Sequence, residues 1–166
     1  MFLRDRVGPI VMPEIFVDAD ACPVKDEVIR VATRHGLKTH MVSDGGIRPS
    51  PDPMVALVIV PSGPDAADDW IAENMNGGDI VVTSDIPLAA RCIEVGGKAI
   101  RPNGEPFTGD SIGMALATRD LMSSLRETGT ITGGPRPFSD RDRSQFLNAM
   151  EVMVQSALRD SAQKTT

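Results

Sequence analysis

Ile15-Phe16-Val17-Asp18-Ala19-Asp20-Ala21-Cys22-Pro23 is the stretch on which the fold turns. Three β-favouring residues run into an acidic break. Pro23 then opens a helix whose apolar residues Val24, Val28, Ile29, Val31 and Ala32 share one face until Gly36 ends it. A strand that passes through two acids into a helix is the opening unit of an α/β protein. The rest of the chain repeats it. Thr39 to Ser43 reads as a second strand, Asp44 to Pro53 as a turn-rich segment, and Met54 to Val60 as a continuous apolar strand of the kind buried on both faces. Residues 65–76 read as a helix, Ile80 to Thr83 as a fourth strand, Pro87 to Val95 as a helix stopped by Gly96-Gly97, and Lys98 to Ile100 as a short fifth strand.

This alternation predicts a three-layer α/β/α fold with a mostly parallel five-stranded sheet, its right-handed crossovers placing every strand's C-terminal end on one edge. Ligands of such sheets bind at that edge. Residues 14–109 form the expected core. Residues 110–160 form helices packed on the same domain: one from Ile112 to Glu127, a breaker at Gly133-Gly134-Pro135-Arg136-Pro137, and another helix opened by Ser139-Asp140-Arg141-Asp142 at capping-box spacing. Residues 1–13 are set outside the fold. Because Met12 stands just ahead of the first strand, residues 1–11 read either as a disordered extension or as the product of an upstream start codon.

The bulk numbers agree with one core. A chain of 166 residues with 41% hydrophobic and 24% charged content is long enough to bury roughly 70% of its unfolded surface. With 4% aromatic residues and no Tyr, the core rests on Val, Ile, Leu, Ala and Met. A net charge of −6 repels polyanions at long range, which counts against general attraction to nucleic acid or anionic membrane. Cys22 and Cys92 lie far apart, with no CxxC and no His at metal-ligand spacing, so neither a zinc site nor a disulfide framework is indicated. No run of 18 apolar residues and no signal-peptide pattern occurs, and a reducing cytoplasm is the expected location.

Asp18 and Asp20 leave the end of strand one, and Asp85 leaves the end of strand four. If those strands are neighbours, their carboxylates converge on one crevice. Asp68 and Asp69 stand in the first turn of the helix before strand four. Asp68 shares a helical face with Ile71 and Met75, whereas Asp69 faces the side of Glu73, so Asp68 is the one nearer the core. Converging carboxylates repel unless a cation lies among them, and oxygen-only ligation suits Mg²⁺ or Mn²⁺. Such a cation activates water for in-line attack on a phosphodiester. Asp18, Asp68 and Asp85 are the catalytic candidates, with Asp20 and Asp69 added as metal candidates. The plainer readings are turn formation for an Asp after a strand and dipole-favoured acids in a first helical turn. Lys25, Arg30, Arg48 and Arg91, with Arg136, Arg141 and Arg143 near the breaker, are the candidate phosphate contacts, though each alone reads as a solvated charge and no aromatic platform accompanies them. Cys22 reads as a small buried residue.

The segments VDADACPVKDEVIRVATRHG, GPDAADDWIAENMNGGDIVVTSDIPLAARC, RPNGEPFT and TGGPRPFSDRDRSQFLNAM together resemble the YaiI/YqxD family of bacterial proteins, from Glu14 to about Met153. That family is placed among PIN-like domains, and DDWIAEN…GDIVVTSDIPLA is similar to the corresponding stretch of NYN-type ribonucleases. The resemblance implies that Asp18, Asp68, Asp69 and Asp85 fall on metal-binding positions of an Mg²⁺- or Mn²⁺-dependent endoribonuclease. Where NYN nucleases often add a further aspartate, this chain has Ile86-Pro87-Leu88-Ala89.

Two other functions fit parts of the pattern. Phe16-Val17-Asp18-Ala19-Asp20 matches the strand-then-DxD motif of haloacid-dehalogenase-like phosphatases, with Asp18 as nucleophile and Asp20 as general acid. The later acidic motif is not matched, since Gly109-Asp110-Ser111 follows no hydrophobic strand. A non-catalytic metal- or RNA-binding regulatory module on the same fold is the other alternative, favoured by the acidic charge and the scarcity of aromatics.

Overall fold

A computed structural model describes residues 11–63, 65–129 and 137–164. In chain order the elements are β1 (Ile15–Asp18), a single 3-10 turn (Ala19–Ala21), α1 (Lys25–His35), β2 (Thr39–Ser43), β3 (Val55–Ile59), α2 (Ala66–Asn74), β4 (Ile80–Val82), α3 (Ile86–Glu94), β5 (Lys98–Ile100), β6 (Pro106–Phe107), α4 (Gly109–Glu127) and α5 (Asp140–Lys164). Most of the predicted breaker, Gly133 to Arg136, lies outside the described residues, as do residues 1–10.

The sheet order is β3-β2-β1-β4-β5-β6, parallel throughout except for β6. Strand alternation sorts the core into two layers. Ile15 and Val17 of β1 and Ile80 and Val82 of β4 face α1 and α5, packing with Val28, Val31, Phe146, Met150 and Val154. Phe16 and Val81 face the other way, onto Ile71 of α2 and Leu88 and Cys92 of α3. The protein is therefore an α/β/α sandwich with a mostly parallel sheet, as the alternation predicts.

Three local differences have physical causes. The sixth strand is two residues long and contains a proline, so it carries no alternation to read. It forms by folding back from β5 and pairing Phe107 with Ala99 and Pro106 with Ile100. The apolar run of β3 is not buried on both faces, because it is the edge of the sheet, and Ile59 is 66% exposed. The helix expected from Ile112 starts three residues earlier, at Gly109, since Thr108 and Ser111 form a reciprocal capping box ahead of the first apolar residue.

α5 is held to α1 by both packing and charge. Its capping box is closed by Ser139 and Asp142, whose carboxylate accepts from the Ser139 amide and hydroxyl at 3.0 Å each. Along the helix Arg143 pairs with Glu27 at 2.9 Å, and Glu151 pairs with Arg34 at 2.7 Å and contacts His35 at 2.6 Å. At the start of the described chain, the Ser161 hydroxyl donates to the carbonyl of Val11, and Pro13 is buried. Among the described residues no helix is long and apolar enough to cross a membrane.

The β5–β6 turn is fitted against α5 at Gly104. Its φ of +94° is one that L side chains rarely adopt, and a Cβ there would stand 2.8 Å from the backbone of Gln145. Gly104→Ala is expected to cost about 2–3 kcal/mol, from a left-handed backbone penalty of roughly 1–2 kcal/mol and the displacement of α5. Thermal denaturation followed by circular dichroism reads it as a fall in Tm, and an unchanged Tm would show that the turn does not bear on α5.

Candidate functional site

The parallel pairing of β1 with β4 brings the ends of both strands to one edge, with Phe16 beside Val81 and Val17 beside Val82. Asp18 is the last residue of β1 and is half-buried. One step beyond β4, the Thr83 hydroxyl donates to Asp18 Oδ2 at 3.3 Å and accepts from the Asp85 amide at 3.0 Å. Thr83 thus ties the two strand ends together. Asp85 caps α3, its Oδ1 accepting from the Leu88 amide at 2.9 Å, with Pro87 in the first turn.

Asp68 arrives from the opposite direction, in the first turn of α2. The rotation of α2 is set by Ile71, fully buried in the core, and by Trp70, whose ring lies 6.0 Å from Phe16 and 5.9 Å from His40. Phe16 and His40 are themselves stacked at 4.5 Å. That rotation turns Asp68 inward, where its carboxyl faces that of Asp85. It turns Asp69 outward onto Arg91 of α3 at 2.8 Å.

Asp18, Asp68 and Asp85 therefore form one cluster. Burial raises the Asp68 pKa to about 7, reinforced by the facing carboxyl of Asp85 and by the charges of Asp85 and Asp18. Burial also raises that of Asp18, opposed by the Thr83 hydroxyl and assisted by Asp85 and Asp20. Facing carboxylates repel, and a neutral Asp68 relieves that repulsion, which is why burial and its acidic neighbours favour its protonated form. Among the described residues, no three His, Cys, Asp or Glu side chains stand in metal-ligating geometry. The donor set, three carboxylates and a hydroxyl, is of the oxygen-only kind that hard divalent cations take.

Asp20 is directed elsewhere. Its oxygens accept from the Ser43 hydroxyl at 2.6 Å and the Asp44 amide at 2.9 Å. Its pKa is lowered, the cost of burial being outweighed by these bonds and by Lys25. It fastens the end of β1 to the loop after β2, a role for which Ser43 gave no sequence signal. Thr83 was also missed, although a Thr two residues before an Asp after a strand is the pattern of a hydroxyl-closed turn.

The candidate cations divide into two groups. Lys25 donates to the carbonyls of Ala19 and Cys22 at 3.1 and 2.8 Å, Arg91 is paired with Asp69, and Arg143 is held by Glu27 and the Pro23 carbonyl. Arg30, Arg48 and Arg141 are exposed and have no ion-pair or hydrogen-bond partner among the described residues. Both thiols are buried, and burial pushes Cys22 up to about 11 and Cys92 up to about 12, which removes them as nucleophiles near neutral pH.

Because folding raises the Asp68 pKa from the ordinary 3.8 to about 7, the folded state binds the extra proton between those values. Its contribution is fully present below the lower value and is lost as pH rises through the upper one. Asp68→Asn removes this loss. The variant is expected to be more stable than the parent at pH 8 by roughly 2–4 °C in Tm, the shift that ~1 kcal/mol gives a domain of this size, and to gain little at pH 4. Thermal melts across that range check it, and an equal effect at both pH values would remove the raised pKa of Asp68.

A model of the DUF188 family, described as "Uncharacterized BCR, YaiI/YqxD family", matches residues 16–156. A UPF0178 protein of Parvibaculum lavamentivorans is 60% identical over 148 residues, covering 89% of this chain and 97% of the relative. A UPF0178 protein of Rhodopseudomonas palustris is 57% identical over 154 residues, covering 93% and 98%, and one of Paramagnetospirillum magneticum is 55% identical over 148 residues, covering 89% and 98%. No solved structure matches the chain. With the family pattern running from β1 into α5 and relatives more than half identical over nearly their whole length, the chain belongs to the YaiI/YqxD (UPF0178) family.

Proposed function

We propose that the chain is a divalent-cation-dependent phosphodiesterase acting on RNA, with Asp18, Asp68 and Asp85 as the residues that hold Mg²⁺ or Mn²⁺. The observation that carries this reading is the convergence of three carboxylates from β1, α2 and the β4–α3 junction at the sheet edge, where α/β proteins bind ligands. The similarity of the α2–β4 segment to NYN-type ribonucleases points the same way.

Each acid has a distinct part. Asp18 is positioned by Thr83, and Asp85 by the first turn of α3. A cation held by Asp68 would require its carboxyl ionised, so its binding would strengthen as pH rises through about 7. The chemistry such a cation would supply is a lowered pKa for a bound water and an offset of charge on the phosphate oxygens. Asp69 and Arg91 keep α2 and α3 in place through their ion pair, and Asp20 anchors the loop after β2. Because the net charge of −6 repels a polyanion, RNA contact falls to Arg30, Arg48 and Arg141, which have no partner among the described residues. Asp20 has both oxygens engaged by Ser43 and Asp44, which leaves it poorly placed as the general acid of a phosphatase.

The absence of a ready ligating group among the described residues favours a second reading, a non-catalytic binding module. Titration with Mn²⁺ at pH 8, with labelled single-stranded and structured RNA, separates the two. The expected result is metal-dependent cleavage, reduced at least 100-fold by Asp18→Asn and by Asp85→Asn. Asn is suited to both sites because it can still accept from Thr83 and still cap α3. Binding of Mn²⁺ or of RNA without cleavage would establish the module, absence of Mn²⁺ binding would overturn the phosphodiesterase, and absence of both kinds of binding would overturn both readings.

A further inference from the structure

We infer that two copies of this chain associate by exchanging α4, each copy laying that helix in an apolar groove along the free edge of the other's sheet. The groove, about 720 Å³, lies where β6 is too short to close the sandwich. Ile100 and Phe107 line it beside Ile93 of α3 and Ala149, Val152 and Met153 of α5. The face that α5 turns to it, Gln145, Asn148, Ala149, Val152 and Ser156, repeats at helical spacing without a charge. Val152 is 66% exposed in its midst.

The occupant is indicated by α4. It is 19 residues long, yet none of them is buried. Met114, Leu121 and Met122 are 75%, 58% and 37% exposed, and together with Val152 they make up four of the nine large hydrophobics left exposed among the described residues. A helix with so little packing is marginal in water. Its own groove is closed to it, because Thr108 and Gly109 already line one end and Ile112 packs into the layer of α3. A strand is excluded as occupant, since Pro106 removes a backbone donor from the edge. A helix of this length covers a plane about 28 Å by 10 Å, or ~300 Å². Each copy both lends a helix and receives one, so ~600 Å² per partner is covered before the curvature of the groove is added, near the ~800 Å² of specific interfaces. The contact is isologous and closes as a two-fold dimer.

Sedimentation velocity on the full chain between about 1 and 100 µM tests this, with far-ultraviolet circular dichroism to verify folding. The parent is expected to be a dimer. Val152→Glu, in the groove, and Leu121→Glu, on the helix, each damage both contacts of a homodimer and are expected to weaken it at least tenfold. Mixing the two variants concentrates the damage in one contact and leaves the other intact, so a mixed dimer stronger than either variant alone is expected. A monomeric parent throughout, including one whose groove takes up an apolar dye, would overturn the inference. So would a dimer indifferent to both substitutions, or folded variants that fail to complement each other.

Discussion

The parallel ladder between β1 and β4 is the constraint on which the candidate site depends. These strands are far apart in sequence, and their pairing alone puts Asp18 and Thr83 within hydrogen-bond reach. Without it Asp18 would be a turn residue and Asp85 an ordinary helix cap. Thr83 then converts adjacency into fixed geometry, because one hydroxyl both donates to an acid of the first strand and accepts from the backbone of the second acid. Slippage of the ladder by one residue would turn Phe16 into the α1 layer and move Asp18 off the edge, so the alternation of the core and the position of the cluster are one requirement.

The outline of this architecture is legible in the chain because parallel strands and their crossover helices leave strong signals. Ile15-Phe16-Val17 and Ile80-Val81-Val82 are short apolar runs, and Gly36, with φ at +68°, ends α1 where the sequence places the stop. The pattern fails where pairing replaces hydrophobicity as the cause of structure. Pro106-Phe107 becomes a strand only because β5 offers it an edge, and the apolar β3 sits at an edge although its composition resembles that of a central strand.

At the site, helical periodicity separates Asp68 from Asp69, since inward and outward faces follow from residue spacing. The division of labour between Asp18 and Asp20 has no such periodic origin. It arises from Ser43 and the Asp44 amide, more than twenty positions away, which take both oxygens of Asp20. The same holds for the basic residues. Charge on a sequence does not reveal whether a partner waits in space, and Lys25, Arg91 and Arg143 prove to be engaged while Arg30, Arg48 and Arg141 have no partner among the described residues.

The ring cluster of Phe16, His40 and Trp70 has a use beyond holding α2 in rotation. The chain contains one Trp and no Tyr, so its near-ultraviolet emission comes almost entirely from a ring two residues from Asp68. That ring is packed against the strand that carries Asp18. The protein thereby contains its own optical probe, whose intensity and wavelength register small movements of the α2 turn without any label being introduced.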